Sequence, residues 1–193
     1  MIELMLQEIQ EKLEKALDEP RYEHTIGVMY TAGSMAMAYG YSIETAMLAG
    51  LLHDCAKCIP NEEKVRLCKE HGVAISEAEY ANQSLLHAKA GAILAKSVYG
   101  IEDTEILHAI QVHTTGEPNM SLLDKIIYIA DYIEPNRDRA PRLKEMRELA
   151  FVDIDCCMAE ILSDTLSYLQ KRNGVIDPLT ESAYHFYKAY EKE

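Results

Sequence analysis

The 193-residue chain has no tryptophan, only two phenylalanines, and no apolar run of the roughly 20 residues that a helix needs to cross a bilayer. A membrane-spanning helix is therefore not expected. A basic excess is missing too. Nineteen Lys and Arg stand against 32 Asp and Glu, a formal net charge of −13. Proteins that grip nucleic acid through its phosphates carry a basic face, so a nucleic-acid partner is excluded on bulk charge. The cysteines, Cys55, Cys58, Cys68, Cys156 and Cys157, form no even set, and two adjacent ones suit no disulfide scaffold. Cys55-Ala-Lys-Cys58 has CxxC spacing, but a structural zinc site commonly takes two such pairs and no second exists. The N-terminus, MIELMLQEIQEKLEK, lacks the basic-then-apolar order of a signal peptide. A cytoplasmic protein is expected.

Catalytic signatures are missing as well. There is no GxxxxGK[ST], no GxGxxG after a strand, no GxSxG and no HExxH. A carboxylate-bridged di-iron bundle needs two ExxH motifs on separate helices, and this chain has one, Glu105-Ile-Leu-His108.

What is present is helical periodicity. With 48% hydrophobic and 26% charged residues, the composition is that of a folded globular protein. Ile2, Leu6, Ile9, Leu13 and Leu17 recur at helical spacing, up to Pro20. A second helix is predicted from Pro20 to Gly40, and a third from a Ser42 cap, ending before Pro60. Asn61 is read as the cap of a short helix ending at His71-Gly72, and Ser76 with Glu79 as a capping box. Further helices are predicted over 84–99, 103–113, 120–134, 141–150 and 153–172, the last stopped by Asn173-Gly174, with Pro178 opening another. No strand-like alternation appears. The prediction is one all-α domain over 1–193 of eight to ten helices, its core over about 20–150 and helices 153–191 packed on it.

Within that pattern, polar residues stand where burial is expected. His24 lies in the second helix, His53-Asp54 ends the most apolar stretch of the third, and Asp131 follows Ile-Ile-Tyr-Ile-Ala. His87 begins one helix and His113 ends another. Taken singly, each has a bland reading: a lone histidine on an apolar helix is usually a hydrogen-bonded core residue, and a lone aspartate is usually solvated or capping. Together on separate helices they make sense if they converge on a cation, because an isolated buried charge is costly. His71, His108 and His185 are read as structural.

The order H…HD…D resembles the HD-domain metal-dependent phosphohydrolase superfamily, whose fold is an orthogonal helical bundle. Longer strings sharpen the resemblance: Arg21-Tyr22-Glu23-His24-Thr25, Leu51-Leu52-His53-Asp54-Cys55-Ala56-Lys57, His87-Ala88, Val112-His113-Thr114-Thr115-Gly116 and Ala130-Asp131-Tyr132-Ile133-Glu134-Pro135-Asn136-Arg137. Together these are similar to the bacterial symmetrical diadenosine tetraphosphate hydrolases of HD type. That resemblance implies a divalent metal, iron by family habit, with manganese, cobalt or nickel as alternatives and one or two ions. It implies His24, His53, Asp54 and Asp131 as metal ligands, and His87 and His113 as ligands of a second ion or contacts to phosphate. Arg21, Lys57, Thr114 and Arg137 then belong to the nucleotide site, Asp54 and Lys57 to catalysis, and the segment 170–175 to the nucleoside.

The implied reaction splits a dinucleoside polyphosphate, diadenosine tetraphosphate, into two ADP. The alternatives are another HD-type nucleotide phosphohydrolase or phosphodiesterase, or a nucleotide-binding sensor without turnover. A two-histidine oxygenase site is disfavoured by the nearby Lys and Arg residues. Among the basic residues at 137–147, Arg137 is read as functional. Arg142, Lys144 and Arg147 are left open between a solvated face and a role in the site. Tyr- and Met-rich helix surfaces leave a homodimer open.

Overall fold

The computed structural model describes residues 2–172 and 175–191. Among these there is no strand. Eleven α-helices follow in order: α1 (Ile2–Ala16), α2 (Glu19–Tyr39), α3 (Ile43–Leu52), α4 (Asn61–Glu70), α5 (Glu77–Ala81), α6 (His87–Ser97), α7 (Thr104–Val112), α8 (Leu122–Ile133), α9 (Leu143–Leu149), α10 (Ile154–Lys171) and α11 (Pro178–Tyr187). The all-α prediction holds, with more short helices than the eight to ten expected.

Helix starts follow the local chemistry. The side chains of Asp18, Ser42, Ser76, Asp103, Ser121, Asp153 and Asp177 each accept from a backbone N–H of the first turn that follows. The capping box of Ser76 and Glu79 is present, and Ser121 with Asp124 forms a second. Two expectations need correction. Asn61 is the first residue of α4 and not its cap, which is Pro60, without a side-chain bond. The helix expected over 84–99 is a short 3₁₀ turn, Gln83–Leu86, followed by α6 from His87 to Ser97. The stop expected at Asn173-Gly174 lies outside the described residues.

The centre of the bundle is α2, α3 and α8. α2 buries one face, with His24, Val28, Met29, Ala32 and Ala36 at helical spacing, and leaves Glu23, Tyr30, Ser34 and Met37 exposed on the other. α3 is apolar almost throughout, and Gly50 brings it against α2: a Cβ there would stand 3.1 Å from the Met29 Cα. α8 buries Ile126 through Ala130 without a break. α10 packs on α8, α9 and α11 with Cys156, Cys157, Met158 and Ala159 buried, so the adjacent cysteines serve packing. The main core runs from Leu6 of α1 to Tyr187 of α11, whose hydroxyl accepts from the Met120 N–H. A second, smaller cluster (Ala56, Leu67, Cys68, Leu86, Ala90, Ile93) seats α4 against α6. No helix among the described residues is long and apolar enough to cross a membrane.

Candidate metal centre

Helix ends and one helix interior deliver the polar residues to a single point. His24 comes from the first turns of α2, and Asp131 from the penultimate turn of α8. His53 is the C-cap of α3, Asp54 follows it, and Lys57 comes one turn later. His87 opens α6 and His113 closes α7. Histidine at a helix C-terminus can turn Nδ1 onto the last unpaired carbonyls, which leaves Nε2 pointing outward.

That is the geometry found. The Nδ1–H of His53 donates to the Gly50 carbonyl at 2.7 Å, and that of His113 to Ile110 at 2.7 Å. His87 donates through Nδ1 to the Ser84 carbonyl at 2.6 Å. His24 donates through Nδ1 to the Glu134 carboxylate at 3.0 Å. A carbonyl or carboxylate can only accept, so each Nδ1 carries the hydrogen and each Nε2 is the atom presented to the site. Burial pushes the pKa of His53 down to about 3 against the pull of Asp54 and Asp131, and it lowers that of His87 as well. Both rings are neutral at ordinary pH; the Nε2 lone pair of His53 has no partner, and that of His87 faces Lys57 and Thr114.

Asp54 divides the four rings into two pairs. Its Oδ2 lies 3.6 Å from His53 Nε2, 3.9 Å from His24 Nε2 and 2.7 Å from Arg21. Its Oδ1 lies 3.1 Å from His87 Nε2, 3.6 Å from His113 Nε2 and 3.5 Å from the Lys57 ammonium. Asp131 joins the first group, 3.0 Å from His24 Nε2 and 3.9 Å from His53 Nε2. Burial works against ionising either aspartate. The positive charge that the facing imidazoles carry once protonated outweighs it in both, aided at Asp131 by Arg137, and holds both carboxyls well below the usual range.

The donor set fits a divalent cation. His24 Nε2, His53 Nε2 and Asp54 Oδ1 are buried and have no hydrogen-bond partner. Leaving a buried donor or acceptor unpaired costs about 1–3 kcal/mol each, and three such atoms in one place are unfavourable unless something binds them. In addition, His87 and His113 bring Nε2 to Nε2 at 3.1 Å while both Nδ1 atoms donate elsewhere. Two lone pairs at that distance repel unless a cation or donor offsets them; Lys57 Nζ lies 3.0 Å from His87 Nε2, and Thr114 Oγ1 lies 3.1 and 3.2 Å from the two nitrogens. Nitrogen and oxygen donors of this kind suit a first-row divalent metal.

Around this point lies a cleft of about 780 Å³, within the range of small-molecule sites. His24, His87, His113 and Asp131 form its floor, and Arg21, Lys57, Thr114, Arg137 and Arg139 supply donors around it. Thr114 Oγ1 stands 3.1 Å from His87 Nε2, and Lys57 Nζ 3.0 Å from the same atom. Arg137 donates to Asp131 twice, to its carboxylate at 2.6 Å and to its carbonyl at 2.9 Å. Tyr132, Thr165, Tyr168 and Pro141 wall the far arm. Arg21, His24, Lys57, His87, His113, Thr114, Asp131 and Arg137 line this cleft, His53 and Asp54 are buried behind it, and residues 170–172 and 175 are not part of its lining. Of the segment 170–175, residues 173 and 174 lie outside the described residues.

Glu134 was missed as a site residue. It is buried, orients His24, and accepts from the Asn136 N–H at 2.7 Å. Its room is made by Gly27, one turn beyond His24, where a Cβ would collide with the Glu134 carboxylate. A carboxylate just past an apolar helix, and a glycine inside a core helix, were the available signals. The histidines read as structural lie outside this cleft, and His108 with Glu117 and Asp124 forms a separate group that could hold a cation. His71 caps its own helix through Leu67, His185 packs beside Tyr184, and His108 pairs with Asp124 at 3.0 Å and Glu117 at 3.2 Å.

Four imidazoles and two carboxylates meeting at the ends and interior of five helices, beside a cleft rich in Lys and Arg, define a class: an all-α protein able to hold divalent cations where an anion would bind. The comparisons with known proteins narrow it. The family model described as HD domain matches residues 21–136. The chain is 43% identical over 169 residues to the "Bis(5'-nucleosyl)-tetraphosphatase, symmetrical" of Halalkalibacterium halodurans, covering 88% of this chain and 89% of that one. Its namesake in Bacillus subtilis is 38% identical over 174 residues, covering 90% and 92%. A crystal structure from Clostridium acetobutylicum, described as a "predicted HD superfamily hydrolase involved in NAD metabolism", superposes with a TM-score of 0.92 at 40% identity, covering 96% of this chain and 97% of that one. The chain belongs to the HD-domain family, within its branch of symmetrical bis(5'-nucleosyl)-tetraphosphatases.

Proposed function

We propose that the cleft hydrolyses diadenosine tetraphosphate symmetrically, releasing two ADP. The observation that carries this reading is the division of buried Asp54, one oxygen toward His24 and His53 and the other toward His87 and His113, behind a cleft lined by cationic donors. His24, His53, Asp54 and Asp131 are assigned to one divalent ion. His87 and His113, with the other oxygen of Asp54, are assigned to a second ion or to phosphate. Iron is the metal proposed, with manganese, cobalt or nickel as alternatives. A bound divalent ion supplies Lewis acidity, polarising phosphoryl oxygens and lowering the pKa of water towards ~7.

The chain's own residues do the rest. Glu134 and the carbonyls of Gly50, Ser84 and Ile110 fix which nitrogen each imidazole presents. Lys57 and Thr114 flank His87 and can donate to phosphate oxygens as negative charge accumulates there. Arg21 and Arg137 each offer a planar fork suited to phosphate, and in the free protein each is held by an aspartate of the centre. The net charge of −13 does not oppose a polyanionic substrate, since a cleft focuses the field of the charges that line it. Cys55, Cys58 and Cys68 are free thiols, which supports a reducing, cytoplasmic setting.

Product analysis tests the reading. Metal-loaded protein incubated with diadenosine tetraphosphate should yield ADP as the single nucleotide product. AMP with ATP, or turnover only of mononucleotides or cyclic dinucleotides offered in parallel, would replace this reading with another HD-type phosphohydrolase. Binding without turnover would favour the sensor.

A further inference from the structure

Arg147 lies on α9, outside the cleft, in the basic stretch that the sequence left open. Its guanidinium is half-buried and turned onto backbone carbonyls. Nε donates to the Ile133 carbonyl at 2.8 Å, and one terminal nitrogen donates to the carbonyls of Glu134 and Arg137 at 2.9 Å each, with Pro135 at 3.4 Å. These are the last carbonyl of α8 and those of the turn behind it, which a helix C-terminus leaves unpaired. A cation there also offsets the negative end of the helix dipole.

The turn that Arg147 grips carries two side chains of the centre. From Glu134 the carboxylate reaches back to His24 Nδ1, and from Arg137 the guanidinium holds the Asp131 carboxylate and carbonyl. His24 and Asp131 in turn approach each other to 3.0 Å. One guanidinium thus fixes the backbone from which both arms extend. We propose that Arg147 is a positioning residue of the metal centre: by pinning the 133–137 turn it holds Glu134 against His24 and Arg137 against Asp131. It touches neither ligand. A lysine cannot replace it fully, because a single ammonium cannot span carbonyls four residues apart as a planar fork does.

The inference rests on the assignment of His24 and Asp131 as metal ligands, and not on the identity of the substrate. Its test reads metal binding directly, by titrating cobalt(II) into metal-free wild type, Arg147→Ala, Arg147→Lys, Glu134→Gln and the Arg147→Ala/Glu134→Gln double variant. Loss of an orienting partner behind a ligating histidine lowers metal affinity about 10- to 100-fold. Arg147→Ala should fall in that range with near-native helical circular dichroism, and Arg147→Lys should fall between it and wild type. The cobalt absorption bands of Arg147→Ala should shift from those of wild type. If Arg147 acts through Glu134, the double variant should lose less than the sum of the two single losses.

Native cobalt affinity and bands in Arg147→Ala, with only a lower melting temperature, would make Arg147 a helix cap and overturn the proposal. Fully additive losses would overturn the route through Glu134. Should Arg147→Ala fail to fold, Arg147→Lys carries the same readouts. Failure of wild type to cleave the dinucleotide would sink the proposed reaction and leave this coupling untouched, whereas failure of wild type to bind metal would sink both.

Discussion

Asp54 and Lys57 stand one turn apart but face different tasks. Asp54 is buried among four imidazoles, and removing it takes away the only carboxylate among the described residues that reaches both histidine pairs. Lys57 is partly exposed, 3.5 Å from Asp54, with no lone pair to offer a cation while protonated. Lys57→Ala should therefore retain stoichiometric metal while turnover falls by ~10²-fold, the scale of losing one transition-state donor. Asp54→Ala should lose metal and turnover together. Elemental analysis with steady-state kinetics distinguishes these outcomes. Wild-type turnover in Lys57→Ala would make that lysine a bystander, and loss of metal would make it structural. The residue types of this centre were legible in sequence because polar residues in apolar helices need a reason. Glu134 and Arg147 were not, because a carboxylate and a guanidinium at helix ends are ordinary on a protein surface. Only the fold shows that one is buried and the other faces carbonyls.

At the scale of elements, the centre depends on how α7 meets α8, since these helices bring His113 and Asp131. Their junction is tied by His108 of α7, held between Asp124 in the capping box of α8 and Glu117 of the connecting loop. Burial lowers the tendency of His108 to charge, but the two carboxylates outweigh it and raise its pKa above the ordinary 6.5. A raised histidine pKa stabilises the fold fully below the unfolded value and ceases to do so as pH rises through the folded one. His108→Ala should thus lower the melting temperature more at pH 5.5 than at pH 9. Equal losses at both would mean that packing, and not charge, is what His108 contributes. The ring is partly exposed, so solvent screens the effect. Helix existence was readable from periodicity and caps. The break between the 3₁₀ turn at Gln83–Leu86 and α6 was not, because no proline or glycine marks it and the small α4–α6 core decides it.

For the whole molecule, the unpaired Nε2 and carboxylate atoms at the meeting point of the helices predict that metal and fold are linked. An ion that binds only the folded state adds RT ln(1 + [L]/Kd), about 2.7 kcal/mol at a hundredfold excess over Kd. Chelator should therefore lower the melting temperature of purified protein, and readdition of a divalent ion should restore it in a concentration-dependent way. A melting curve indifferent to both, in protein shown to carry metal, would place that metal outside this centre.

The sequence by itself determined the all-α class, most helix boundaries and the histidines and aspartates that meet at the centre, though not Glu134 or Arg147. These follow from local rules: apolar spacing of three to four, caps of Asp and Ser, and polar groups in runs where an isolated charge is too costly. Only the tertiary structure decided which oxygen of Asp54 faces which histidine pair, and that Nδ1 of each imidazole is spent on a carbonyl or carboxylate. It also decided that Gly27 makes room for Glu134, and that Arg147 turns inward beneath the 133–137 turn. These are contacts between residues up to about a hundred positions apart, from His24 to Glu134. No local pattern encodes them, because they arise from how whole helices pack.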